Sequence, residues 1–300
     1  MPITINKTFV FSEHDAPVYG LEAFGGSAFF SGGGDRIVSC WNTTENSIAK
    51  GIVNTGSTIY SLKFISEKNI LLAGVSGGGM HVIDLNKKKE IHFLLNHEKG
   101  IFDIKYSLKH DKIITAGGDG KISLWSGKDF SFLKSISFCK EKIRAIAFDQ
   151  NENIAAIGCG DGTIHFIRID DLTEIHSFTA HQFSVNAICF HPVLNILISG
   201  GKDAHLKFWN SENFELVKSI PAHNYAIYSI SFSPDRNYFA TGSRDKTIKI
   251  WSAETFNLLT RIDHEKNSGH IHSINKILWM NEALLSAGDD KKIIGWKVSN

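Results

Sequence analysis

One eleven-residue pattern recurs along this chain at a nearly constant interval, and no other feature constrains its fold as tightly. The clearest copy is T-G-S-R-D-K-T-I-K-I-W, residues 241–251. Apolar Tyr238–Ala240, the turn-formers Gly242–Asp245 and the alternation from Thr247 into Trp251 read as strand, tight turn, strand. Related copies stand at 31–41, 115–125, 199–209 and 286–296, each with Asp four positions after Ser or Thr and six before Trp. Two degenerate copies, 73–83 and 157–167, end in Ile83 and Ile167. The end positions are 41, 83, 125, 167, 209, 251 and 296, a spacing of 42 held five times and then one of 45. A period near forty, with one turn signature per repeat, predicts four-stranded blades arranged as a propeller.

A histidine precedes each complete signature by about twenty residues, and Val or Ile follows it four positions later. The complete sets are His14, Ser31, Asp35 and Trp41; His97, Thr115, Asp119 and Trp125; and His181, Ser199, Asp203 and Trp209. His223, Thr241, Asp245 and Trp251 follow, and then His270, Ser286, Asp290 and Trp296. With these residues in place, the chain resembles the WD-repeat β-propeller family over essentially its whole length. The resemblance implies that each set forms a side-chain hydrogen-bond network. It also departs from the family: the residues after the five Trp are Asn42, Ser126, Asn210, Ser252 and Lys297, so the Trp-Asp dipeptide is absent. In the second repeat Thr55, Ala73, Gly77 and Ile83 replace all four members, and in the fourth only Asp161 remains, beside Cys139, Ile157 and Ile167. A half-kept buried polar network costs more than an apolar one, so members are expected to be lost together. Asp161 is expected to bind the amides of its own turn instead.

Residues 3–11 read as an outer strand with no inner strands before it, whereas the sequence ends four residues after Trp296. The expected fold is therefore all-β: one domain over residues 1–300, a seven-bladed β-propeller of four-stranded antiparallel blades. The N-terminal strand is expected to close it by joining the last blade. A formal net charge of +1 gives no basis for non-specific nucleic-acid binding or for attraction to an anionic membrane. No apolar run approaches the roughly 18 residues of a membrane helix, and the N-terminus lacks the apolar block of a signal peptide. A cytoplasmic location is expected. The four cysteines show no C-x-x-C pairing; Cys40 and Cys189, in apolar strand patterns, are expected to be buried free thiols.

Ser, His and Asp are also triad residues, but five near-identical sets at fixed period read as a structural device. The cluster His264, His270 and His272 lacks a defined metal-ligand set, because His270 already belongs to a network. No metal or cofactor is expected. Lys87–Lys89 reads as a solvated turn, and Phe130, Phe214 and Phe256, each five residues after a signature Trp, read as packing between blades. The family resemblance implies that partners bind where the b–c turns meet the starts of the innermost strands. Carried onto this sequence, the partner-binding positions are Tyr19, Tyr60, Phe102, Lys142, Arg144, Asn186, Lys202, Tyr228, Arg244, Asn275 and Asp289. Aromatic and small residues dominate the first three repeats, and cations the next three, so two opposing arcs are expected. The expected function is that of a non-enzymatic scaffold, a monomeric propeller within a larger complex, holding a protein or peptide segment. That segment would be acidic or phosphorylated, with an apolar anchor. The alternative is a propeller-fold hydrolase or lyase, for which Asp289 is the one carboxylate among these positions.

Overall fold

The computed structural model describes residues 3–44, 47–281 and 283–299, without the side chains of residues 47–50. Twenty-eight strands form seven four-stranded sheets, each antiparallel in its pairings, so the fold is a seven-bladed β-propeller. In the fifth blade, strands a to d are Val185–Phe190, Ile196–Gly201, His205–Asn210 and Leu216–Pro221, hydrogen-bonded in that order. The seventh blade takes its first three strands from Ile274–Met280, Ala283–Gly288 and Ile293–Ser299, and its outer strand from Thr4–Phe11. Register runs from Thr4 opposite Ser299 to Phe11 opposite Ile293. The expected closure by the N-terminal strand is what the structure has.

The chain sorts into two compact units. One comprises Met1–Ile59, His191–Leu194 and His223–Asn300, holding blades one, six and seven; the other comprises Tyr60–Phe190 and Asn195–Ala222, holding blades two to five. Burial follows strand position in both. Strands b and c are largely buried on both faces because a neighbouring blade covers each face, as in Ile154–Cys159 and Thr163–Arg168 of blade four. Outer strands such as Phe132–Ser137 are mostly exposed. In the second unit, Ile164 and Phe166 of blade four share one core with Val185, Leu197 and Trp209 of blade five. In the first, Ile248 and Ile250 of blade six meet Ile274, Leu284 and Trp296 of blade seven. A glycine one residue after the Ser/Thr position makes room for this contact in blades four and six, and a Cβ at Gly242 would stand 2.9 Å from Ile274 Cγ2. A Cβ at Gly158 of blade four would stand 2.8 Å from Ile188 Cδ1 and 3.0 Å from Val185 Cγ1 of the next blade.

Among the described residues, no helix is long and apolar enough to cross a membrane. The three extra residues of the last spacing fall in the connection that carries the one-turn helix His264–Asn267, capped by the Asp263 carboxylate at Lys266 N.

Candidate functional site

The five signature sets form the expected networks. In blade five the indole Nε1–H of Trp209 donates to Ser199 Oγ at 2.9 Å, and that hydroxyl donates to His181 Nε2 at 2.8 Å. His181 Nδ1–H then donates to Asp203 at 2.9 Å. With a neutral imidazole protonated at Nδ1, indole, hydroxyl and ring each donate one step along this relay. Burial agrees, pushing the His181 imidazole below its ordinary range against the pull of Asp203. Asp203 also accepts from the amides of Gln182 and His205, tying the a-strand entry to the b–c turn. The same relay links Trp125 to Asp119, Trp251 to Asp245 and Trp296 to Asp290. In blade one it links Trp41, Ser31, His14 and Asp35. In five of the seven blades these contacts tie the entry of strand a to the b–c turn.

A repeated irregularity lies close by, in blades with the relay and in blade four, which lacks it. In six blades the pairing of strand a with strand b slips by one residue just after the strand begins. The residues at the slip are Tyr19, Phe102, Arg144, Asn186, Tyr228 and Asn275, six of the eleven expected partner positions. A bulge takes a residue out of the ladder and re-aims its side chain, which is why such places serve as sites.

In the unit of blades two to five, Tyr60 stacks on Phe102 at 5.0 Å between centroids and 16° between planes. The Arg144 guanidinium carbon lies 5.0 Å from the Phe102 centroid. Aromatic and cationic residues therefore adjoin in one row here, where the sequence suggested opposing arcs. Burial, and then the like charges of Arg144 and Lys202, push the Lys142 ammonium below the usual lysine range, with Glu141 opposing. Lys142, Arg144 and Lys202 thus share one positive field. Asn186 is buried and accepts from Ser184 Oγ at 2.9 Å, so its amide is committed to its own strand.

In the other unit, Pro17, Tyr19, Tyr225, Arg244, Lys246, His272, Ser273 and Asp289 line a cleft of about 670 Å³. Asn275 donates from Nδ2 to Asp289 Oδ1 at 2.8 Å and to the Val18 carbonyl at 3.1 Å, holding the carboxylate at the cleft wall. Tyr228 is half-buried. Tyr225, largely exposed, lies under Arg244 at 5.8 Å, and Phe183 lies under Lys202 at 5.7 Å. Each aromatic stands two residues after a network His and each cation one residue before a network Asp. The sequence reading missed Tyr225, Lys246 and His272; that paired offset, seen twice, was the available signal.

The other expectations fare unevenly. Asp161 Oδ1 accepts from Thr163 N at 3.0 Å and Thr163 Oγ1 at 2.6 Å, the expected turn-binding role. Phe130 joins a core with Ile70 and Met80 of blade two, and Phe214 packs on Phe166 of blade four at 4.6 Å, as expected of packing between blades. Both have left-handed backbone, φ 61° and 63°, closing the turn before the outer strand. His264 Nδ1–H donates to its own loop at Gly269 O, 2.9 Å away. The cysteine expectation needs correction. Cys40 and Cys189 are free thiols but only half-buried; among the described residues Cys159, on strand b, is the buried one. Cys139 and Cys159, far apart in sequence, come together with Asp161.

A sequence model of the WD domain, G-beta repeat, matches residues 88–126, 130–167, 172–210 and 214–252, together just over half of the chain. Three of these segments end one residue after a signature Trp and the other ends at Ile167, so the repeat in sequence is offset by one strand from the blade in space. Protein HIR1 of Phaeosphaeria nodorum is 27% identical over 140 residues, 41% of this chain and 13% of that protein. WD repeat-containing protein 91 homolog of Dictyostelium discoideum is 23% identical over 142 residues, 45% of this chain and 18% of that protein. Autophagy-related protein 16 of Arabidopsis thaliana is 24% identical over 105 residues, 34% of this chain and 20% of that protein. The matches thus span a fifth or less of each relative.

Proposed function

The chain belongs to the WD domain, G-beta repeat family, and from that premise we propose that it is a non-enzymatic, cytoplasmic interaction scaffold acting within a larger assembly. Its ligand is a protein segment carrying acidic or phosphorylated groups together with an apolar anchor. One observation carries this reading: cations are held against aromatic rings at the ends of the blades. Arg144 lies over the Tyr60–Phe102 stack, and Arg244 lies over Tyr225 at the edge of the 670 Å³ cleft. Stacking on a ring restrains a guanidinium while leaving its N–H edge able to take a carboxylate or phosphate in two parallel hydrogen bonds. Rigid aromatics supply contact area at low entropic cost. A chain of net charge +1 gains its local positive field from placement, so recognition should be confined to these patches.

Fluorescence anisotropy against a panel of acidic and phosphoserine peptides, each with a Leu or Phe anchor, tests the proposal. Charged contacts of this kind contribute about 1.5–3 kcal/mol when desolvated. The double variant Arg144→Ala, Arg244→Ala should therefore weaken the best peptide by about tenfold or more and flatten its salt dependence. Tyr60→Ala should weaken it with the salt dependence kept. If both variants bind like the parent while Val217→Asp, on the outer strand of blade five, abolishes binding, these patches are not the site.

A further inference from the structure

We propose that the fourth blade carries a site for a zinc-type divalent cation, built from Cys139, Cys159 and Asp161. Among the described residues, these three bring their ligand atoms, two Sγ and a carboxylate oxygen, to within 4.8 Å of one another. The trio occupies the place where five of the other blades keep their polar relay. Cys139 stands at the His position and Asp161 at the Asp position. Cys159 stands where blades one, three, five and seven have Gly33, Gly117, Gly201 and Gly288, and where blade six has Ser243.

Room for a side chain at this place is tight beside an imidazole. A Cβ at Gly201 would lie 2.3 Å from His181 Nδ1 and 2.4 Å from Asp203 Oδ1, and one at Gly117 would lie 2.1 Å from His97 Nδ1. Blade six fits only the small Ser243 beside its intact His223, with the hydroxyl turned to the Tyr225 and Ala226 carbonyls. Blade four has exchanged both the glycine and the imidazole, and each exchange put a thiol into this space. Loss of the relay does not by itself call for thiols: the second blade, whose relay is also gone, has Thr55 and Val75 at these two places.

The geometry suits a small cation. Zn–S bonds of about 2.3 Å around a tetrahedral ion put two thiolate sulfurs roughly 3.8 Å apart. Ligand atoms no more than 4.8 Å apart need close by only about an ångström. Thiolate ligands select zinc over magnesium or calcium. The carboxylate is already oriented from outside: Asp161 Oδ1 takes two hydrogen bonds from Thr163, leaving Oδ2 for an ion. Thr163 Oγ1 is itself 3.1 Å from His165 Nε2, whose Nδ1 meets Glu174 at 3.0 Å, an outer chain of the kind that steadies metal ligands. Cys159 is buried and Asp161 exposed, so the fourth position faces water. Binding replaces two S–H bonds by two Zn–S bonds and releases two protons to solvent, one of them now donated by Cys139 to Glu141 O at 2.8 Å. The ion would pin the loop entering blade four to strand b, as the His–Asp contact does elsewhere.

The test is equilibrium dialysis of the reduced full chain against zinc chloride, with cobalt(II) as a spectroscopic substitute. The expected result is one ion per chain, two protons released and a thiolate-to-cobalt charge-transfer band. Cys139→Ser and Cys159→Gly should each weaken uptake by about a hundredfold, at the upper end of what even outer ligand partners command. Cys159→Gly installs the residue that four sister blades carry, so folding should survive; its circular dichroism should match the parent, while zinc raises the thermal midpoint of the parent alone. No uptake by the reduced protein overturns the proposal. Uptake unchanged in both single-thiol variants also overturns it, because the ion then sits on surface histidines. A Cys139–Cys159 disulfide in protein that takes up no ion after reduction overturns it as well.

Discussion

Asp203 shows how much a single side chain of the relay should matter. Burial alone would push its carboxyl up, but His181 and the amides of His205 and Gln182 outweigh it and hold the group at about 2. His181 is held below its ordinary range, chiefly by burial. Both groups therefore take up protons more readily in the unfolded chain, so both contribute stability that is complete above the unfolded pKa and lost on acidification. The His contribution fades below about pH 6.5, and the Asp contribution between about pH 4 and 2. Asp203→Asn keeps an acceptor for Nδ1–H yet cannot titrate. Its denaturation midpoint should fall less than the parent's between pH 4 and 2, and superimposable pH profiles would sink this account. Near pH 7, Asp203→Ala should cost about 1–3 kcal/mol by orphaning His181 Nδ1–H and two amides. Trp209→Ala, at a nearly buried core position, should cost about 3–5 kcal/mol.

At the scale of the turn, the second blade offers a test by contrast. Gly77 stands at the Asp position of a blade whose relay is gone, with nothing within 4 Å of an added Cβ and no left-handed φ. Gly78, its neighbour, has φ +84° and would set a Cβ 2.0 Å from His97 O, the loop that its own carbonyl holds through His97 N. Gly77→Ala should be near neutral or stabilise by about 0.4–1 kcal/mol, through the lowered freedom of the unfolded chain. Gly78→Ala should cost about 2–4 kcal/mol, from left-handed strain plus overpacking. Equal urea midpoints for the two would show that the turn is not as described. Turns of this kind, with the strands they join, were readable because residue type repeats at fixed phase: the Ser/Thr-to-Asp and Asp-to-Trp offsets place seven b–c hairpins before any contact is known. The bulge at Tyr19, Phe102, Arg144, Asn186, Tyr228 and Asn275 was not readable. A one-residue slip leaves the alternation of Val185–Phe190 almost unchanged and depends on what strand b offers opposite. Pairings such as Arg144 on Phe102, across blades, or Cys139 beside Cys159, within one, join side chains about twenty to forty residues apart with no local motif to announce them.

For the molecule as a whole, the decisive element is the strand whose partner lies farthest away in sequence. Thr4–Phe11 pairs with Ile293–Ser299 almost the full length of the chain away. Its value lies in two places. Phe11 is buried 4.5 Å from Trp41 and shares a core with Leu285 and Ile293, and Phe9 rests against Gly295, where a Cβ would come within 2.4 Å of the ring. Its backbone also covers the ladder edge of Ile293–Ser299, which would otherwise present unpaired amides and carbonyls to any passing strand. Removing residues 1–11 should cost at least the about 3–5 kcal/mol of a buried Phe. At about 2–4 °C per kcal/mol, the thermal midpoint should fall by roughly 6–20 °C. The exposed edge should also make the shortened protein self-associate, visible by light scattering. A synthetic peptide of residues 3–11 should reverse both effects, because the pairing it restores needs no covalent link. Phe11→Ala in the full chain should reproduce most of the fall in midpoint without the association, since the edge stays covered. A shortened protein that melts with the parent, stays monodisperse and ignores the peptide would mean that the pairing of the first strand with the last contributes nothing to holding the fold.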